Sequence, residues 1–360
     1  MGTVSTSTLL LVASIAACSA EPGGIVVSPT VRPQQICGAN LSYHRDGRLG
    51  GYGSPTSEEA IDRLAALGMR NIAVTPFGYI DSLSSTEVNE SPDLPFDSLS
   101  KAVLTEAKWA KGKGLDLAIK LHLWIGDGEF SGKLDPAPSR GGWAAWFIAY
   151  EAYVLRWAKV AQQASAAALI IGIELGSATV AHEARWRAMI TKVRAVYDGK
   201  VTYGANWDEA ERITFWDALD AIGVQLFAPL TDQRAPSQST LDRGAAGWLG
   251  RFEALSRRES KPLWLTEVGF ANREDTAIRP SAWPERLRPK PQRTAQGDAE
   301  QARAYRAIIH TFGNSPLVDV MCWWRWHTDP VLAQKDRVTF FPRGRPAEAV
   351  LATACGGNVP

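Results

Sequence analysis

Ala168-Leu-Ile-Ile-Gly-Ile-Glu174 and Pro262-Leu-Trp-Leu-Thr-Glu267 each run an uncharged, apolar tract straight into one carboxylate. A short apolar tract without polar alternation reads as a strand buried on both faces, the kind that parallel sheets contain. Working outward, six further tracts share this character: Cys37 to Ser42, Asn71 to Thr75, Asp116 to Leu121, Val201 to Ala205, Ala221 to Leu226 and Val318 to Trp323. With Leu169 to Ile173 and Pro262 to Thr266 they make eight. Segments of helical period separate them. Ser57 to Leu67 has Ser57 as its expected cap and Gly68 as its stop; Trp143 to Ala164, Ala181 to Tyr197, Trp248 to Glu259, Ala299 to Thr311 and Pro346 to Ala354 follow. Eight strand and helix units in about 320 residues predict an α/β fold, a single-domain (β/α)8 TIM barrel over residues 36–357, with its active site at the C-terminal strand ends. A doubly wound sheet is the alternative. It loses weight because no G-x-G-x-x-G follows an early strand and no phosphate-binding G-x-x-x-x-G-K-[ST] occurs. The nucleophile elbow G-x-S-x-G is absent too, and His182-Glu183 does not complete H-E-x-x-H.

Composition narrows the partners. The 360 residues carry 39 Lys+Arg against 38 Asp+Glu, a net charge of +1 that gives no bulk attraction to nucleic acid or anionic membrane. Tryptophan is over-used: 14 Trp outnumber 11 Phe and 8 Tyr, so either the core or a ligand needs large flat faces. The run Leu9 to Ala17 is too short to span a bilayer, and with Ile15-Ala16-Ala17-Cys18 it is similar to a bacterial lipoprotein signal peptide, although Met1 to Thr8 lacks Lys and Arg. Residues 1–18 are therefore expected to be a signal peptide with Cys18 as the lipidation site, and 19–35 a tether. The expected location is the cell envelope or the medium. Cys37, Cys322 and Cys355 remain, with no spacing suited to zinc, and neither metal nor cofactor is expected. In a barrel, Cys37 and Cys355 both fall at the bottom rim, which suits either a disulfide or buried free thiols.

Two carboxylates facing each other across a barrel mouth suit glycosidic hydrolysis, which needs one acid for the leaving oxygen and a second carboxylate to attack or to activate water. Rim acids that merely pair with Arg or Lys are the structural counterpart. Further residues weigh against that account. Gly172-Ile-Glu-Leu-Gly-Ser-Ala-Thr179, Tyr203-Gly-Ala-Asn-Trp207, Phe215-Trp-Asp-Ala-Leu-Asp-Ala-Ile-Gly-Val224 and Leu265-Thr-Glu-Val-Gly-Phe270 lie at strand ends, together with Ala39-Asn-Leu-Ser-Tyr43, Lys120-Leu-His122, Trp323-Trp-Arg-Trp326 and Gly344-Arg-Pro-Ala-Glu-Ala-Val-Leu351. From Cys37 to Ala354 this set resembles glycoside hydrolase family 113, clan A barrels known mainly as retaining β-1,4-mannanases. The resemblance implies Glu174 as acid/base, Glu267 as nucleophile, and an endo-acting retaining hydrolase of β-1,4-linked hexose polysaccharide, β-mannan or glucomannan first. Its implied partner is a polysaccharide or oligosaccharide, and a monomer is expected.

The chain departs from the family pattern at three places. Ile173 precedes the acid where Asn or Thr is usual, Leu121 stands where Pro is usual, and Gly223-Val-Gln-Leu-Phe227 replaces Gly-Val-Asp-Ala-Tyr, so Gln225 and Phe227 stand for an acid and a hydroxyl. These changes keep a second substrate class open, an amino-sugar or cell-wall glycan, and a third reading as a weakly active glycan-binding surface lipoprotein. Candidate sugar contacts are Tyr43, His122, Trp124, Asn206, Trp207, Gln225, Phe227, Trp283, Trp324 and Trp326, the indoles as platforms for sugar C–H faces. Trp109, Trp143, Trp146, Trp157, Trp186 and Trp248 lie in helical segments and are assigned to packing. The Arg- and Pro-rich segment Arg273 to Arg293 follows the nucleophile strand, as a stiff solvated loop or a contact to an anionic glycan.

Overall fold

The computed structural model describes residues 1–2, 37–43, 51–91, 94–126, 128–333 and 337–360. Of the expected signal segment only Met1 and Gly2 are among them, and Cys18 and the tether lie outside. Contacts divide the chain into Met1–Thr30 and Val31–Pro360, and the second unit carries everything below.

Eight parallel strands close into a barrel: β1 (Gly38–Ser42), β2 (Asn71–Val74), β4 (Asp116–Lys120), β6 (Ala168–Ile173), β7 (Lys200–Asn206), β8 (Ile222–Leu226), β9 (Leu263–Val268) and β10 (Val318–His327), with β1 pairing β10 to complete the ring. All eight expected tracts are strands of it. The helices between them are α1 (Pro55–Ala66), α2 (Phe96–Gly112), α3 (Gly142–Gln163), α4 (Gly176–Ala181), α5 (Glu183–Arg194), α6 (Gln238–Glu259), α7 (Ala295–Phe312) and α8 (Pro346–Cys355). Because helices cover the sheet, strand residues are buried on both faces: every residue of β1, β8 and β9 is buried.

Local chemistry differs from expectation at several ends. The α1 cap is Ser54 rather than Ser57: its hydroxyl accepts from Ser57 N at 3.2 Å, and Pro55 takes the first helical position, where its missing N–H costs nothing. Ser57 is freed to donate to Glu106 Oε2 at 2.8 Å. The segment Ala181 to Tyr197 divides at His182, whose φ of −133° and ψ of 42° separate α4 from α5. Helix α6 begins ten residues before Trp248, capped by Ser237. Gly244 in that extension hides it from propensity, yet a Cβ there would fall 1.9 Å from Leu230 O, so close backbone approach requires glycine.

A small second sheet has no counterpart in the sequence reading. The third barrel strand stops at Lys120, and after Leu121 the chain enters β5 (His122–Ile125), which pairs in parallel with β3 (Phe77–Ile80) as a separate two-stranded sheet. Its register sets Phe77 opposite His122, and the Phe77 ring lies 5.1 Å from His122 and 6.2 Å from Trp124. His122 therefore starts this small sheet instead of closing a barrel strand. At the opposite rim a disulfide joins Cys37, before β1, to Cys355, at the end of α8, with a Cα–Cα distance of 5.7 Å, while Cys322 is a buried free thiol.

Candidate active site

The two carboxylates come from β6 and β9, strands separated in the barrel by β7 and β8. At the end of β6 the register shifts between Ile170 and Ile173, and Glu174 takes a left-handed φ of +51° that a non-glycine residue rarely adopts. Neighbours hold it there: Glu174 N donates to Gly204 O at 2.9 Å, and Leu175 N to the Tyr203 hydroxyl at 2.5 Å. Gly172 makes room for this turn, since a Cβ would meet the Tyr150 hydroxyl that donates to Ile171 O at 2.8 Å. The strand end is thus bent by packed aromatic hydroxyls, and the strain it carries aims one side chain.

Glu267 stands in a different setting. It is buried and ion-paired with Lys120 Nζ, and His122 Nε2 lies 3.4 Å from its Oε1, too far for a good hydrogen bond. Lys120 is fully buried at the end of β4 and is itself held by Asn40 of β1, whose Oδ1 accepts from Nζ at 2.5 Å. Asn40 Nδ2 in turn donates to Thr266 O at 3.1 Å and Cys322 O at 3.0 Å, locking the amide's orientation. Burial alone would push the Glu267 carboxyl up; the charge of Lys120, with His122, outweighs it and holds Glu267 below the usual carboxylate range.

Among the described residues no such cation touches Glu174. Burial pushes its carboxyl up to about 8, and the negative charges of Glu267 and Glu209 add to the effect. Glu209 is a buried acid in the turn after β7 that accepts from the Thr179 hydroxyl, from Tyr203 Oη at 3.1 Å and from Asn206 N at 3.1 Å. At neutral pH the arrangement therefore offers one protonated and one ionised carboxyl, the pairing that acid-assisted cleavage of a glycosidic bond needs. His122, forced down to about 4 by burial, is neutral, stacked on Trp324 at 5.8 Å between ring centroids.

The expected sugar contacts divide by position. Trp124 is 42% exposed, an accessible indole edge-on to Phe77. Trp283, Phe227 and Trp324 gather with Ala271, Val338 and Phe340 in a cluster separate from the main core, with Trp283 6.1 Å from Trp324 and 5.4 Å from Phe340. Tyr43 and Trp326 are buried in the main core, Tyr43 against Tyr52 at 4.7 Å. Trp207 is half-buried and engaged edge-on by Trp248 at 5.0 Å, and the Asn206 side-chain Oδ1 accepts from Trp207 N at 2.8 Å within its own turn. Gln225 is wholly buried, its amide finding no hydrogen-bond partner and lying where a Cβ on Gly204 would be. Trp146, Trp157 and Trp186 are fully buried, and Trp109, Trp143 and Trp248 pack against the core, as assigned. Sequence reasoning missed the roles of Lys120, Asn40 and Glu209. The first two stood inside quoted motifs, whereas Glu209 lies three residues beyond the end of β7 at Asn206, with no apolar tract leading directly into it.

Comparisons with known proteins agree with this geometry. The family model described as Glycoside Hydrolase Family 113 matches residues 41–338. A β-mannanase of that family from Alicyclobacillus acidocaldarius superposes with a TM-score of 0.76 at 25% identity, covering 88% of this chain and 96% of that one. A second β-1,4-mannanase of the family gives 0.75 at 23%, covering 90% and 100%. A family 5 mannosidase from Rhizomucor miehei shares the fold alone, at 0.58 and 13%, covering 90% and 93%. No curated protein matches the chain. With a matched model spanning both strand-end acids, the chain belongs to glycoside hydrolase family 113 and is a glycoside hydrolase.

Proposed function

We propose that the protein is a retaining, endo-acting hydrolase of β-1,4-linked mannan or glucomannan, with Glu267 as nucleophile and Glu174 as acid/base. The observation that carries this reading is the opposite pull on the two carboxyls. Glu267, kept ionised by Lys120, is ready to attack the anomeric carbon, while Glu174 holds a proton for the leaving oxygen. Esterification of Glu267 removes the charge that helps to keep Glu174 protonated. The acid then weakens its grip on a proton, and Glu174 takes one from the water that releases the sugar. The mannan preference rests on the β-mannanases that share the family and fold.

The test is the anomer first released from mannan, followed by proton NMR, alongside fragment length. Early β-anomer in internal fragments supports the reading. Early α-anomer would overturn retention, and no release from mannan or glucomannan would overturn the substrate. Export and lipid attachment through Cys18 remain part of the proposal, supported by the Cys37–Cys355 disulfide, which suits an oxidising compartment. Mass spectrometry of the membrane-associated protein, showing or lacking a diacylated Cys18, decides it.

A further inference from the structure

The mouth also holds a guanidinium that pairs with no carboxylate among the described residues. Arg325 follows Trp324 in β10, and its guanidinium carbon lies 5.3 Å from the ring centroids of Trp283 and Trp324 and 5.0 Å from that of Phe341. Its Nε is buried without a hydrogen-bond partner, and no carboxylate among the described residues forms an ion pair with it. Glu285 and Glu267 act on it only through space. Other deeply placed arginines have oxygen partners: Arg345 donates to the carbonyls of Phe341 and Arg343 at 2.9 and 3.0 Å, and Arg273, although its Nε and Nη1 make no hydrogen bond among the described residues, donates through Nη2 to Arg279 O and lies 3.2 Å from Asp275.

Ring faces attract a cation, but they supply none of the lone pairs that its N–H groups lose on leaving water. Burial draws Arg325 down to about 10, so at neutral pH the charge is present and still short of acceptors. Trp324, against which Arg325 stacks, also stacks on His122, and His122 adjoins Glu267. Two rings, Trp324 and His122, therefore link the cation to the proposed nucleophile. A planar guanidinium with free donors matches a carboxylate by two parallel hydrogen bonds, better than it matches a neutral sugar.

We infer that Arg325 reads a carboxylate on the sugar bound in the cleft, so that the substrate is a β-linked glycan carrying uronic acid units. This rests on the reading of Glu174 and Glu267 as the catalytic pair and adds an acidic unit to the proposed mannosyl backbone. The experiment compares kcat/KM on size-matched β-1,4-manno-oligosaccharides, one neutral and one oxidised at C6 to the uronate, for the wild type, Arg325→Gln and Arg325→Lys. The wild type should favour the oxidised substrate by about tenfold or more at low salt, less at high salt, and Arg325→Gln should bring the ratio close to one, with Arg325→Lys between. Equal use of both substrates by the wild type, or an equal loss on both in Arg325→Gln, would overturn the inference. If neither substrate is cleaved, the catalytic reading fails by itself, and calorimetry with free mannuronate against mannose decides the inference separately. Uronate binding lost in Arg325→Gln sustains it; no uronate binding ends it.

Discussion

Two halves of the barrel mouth treat the same functional group in opposite ways. On the side of β6 and β7, Glu174 is surrounded by burial and by other acids, Glu209 and Asp208, and retains its proton. On the side of β1, β4 and β9, Glu267 is at least as buried, yet a chain of contacts from Asn40 through Lys120 supplies a positive charge and keeps it ionised. Residue type explains none of this difference. One buried lysine, held by one locked asparagine, sets the two carboxyls apart, and on the proposed reading that difference assigns one as acid and the other as nucleophile.

The largest effect should come from removing the charged member. Glu267→Ala is expected to lower kcat by about 10⁴-fold or more, since a group made into a covalent bond has no substitute. Glu174→Gln should cost about 10²- to 10⁴-fold and flatten the alkaline limb of the pH profile, because no proton remains there to be lost. Steady-state rates across pH check both. If Glu174→Gln kept its alkaline limb, the acid would lie elsewhere.

Lys120→Met breaks the comparison from the other side. Without the ammonium, burial alone acts on Glu267, so its carboxyl should rise and the acidic limb of kcat/KM should move to higher pH, with a fall of about 10²- to 10³-fold at neutral pH. Leaving one partner of a buried pair also costs about 3–5 kcal/mol of stability, so a melting curve must accompany the kinetics. An unmoved acidic limb in the folded variant would show that Lys120 does not set the charge of Glu267.

Glu209→Gln gives the smallest effect and sharpens the acid side. Removing a carboxylate that raises Glu174 should shift the alkaline limb downward by less than one pH unit, with kcat changed only a few-fold. A limb that moved upward would contradict the sign of that interaction.

The contrast between the halves also marks how far sequence could reach. The apolar tracts gave all eight barrel strands, and because Glu174 and Glu267 each end such a tract, their place at the strand ends was legible too. The Lys120–Glu267 pair was not legible: its members are 147 residues apart and meet only because the barrel closes. The small sheet of β3 and β5 was missed because Phe77-Gly-Tyr-Ile80 is too short to carry a period, and pairing with a distant segment is what makes it a strand. For Gln225 and Trp207, position in a strand-end motif suggested a sugar contact but said nothing of depth, which the packing of Gly204 and Trp248 around them decides.

The most direct measurement is a carbon-13 NMR titration of the glutamate side-chain carboxyls in the resting protein, assigned with Glu174→Gln and Glu267→Gln. The account predicts one active-site carboxyl, absent from Glu174→Gln, titrating near 8 and falling to lower pH when Glu267 is made neutral, while the Glu267 carboxyl stays ionised below the usual range. Two active-site carboxyls titrating together between about 4 and 5 would contradict it.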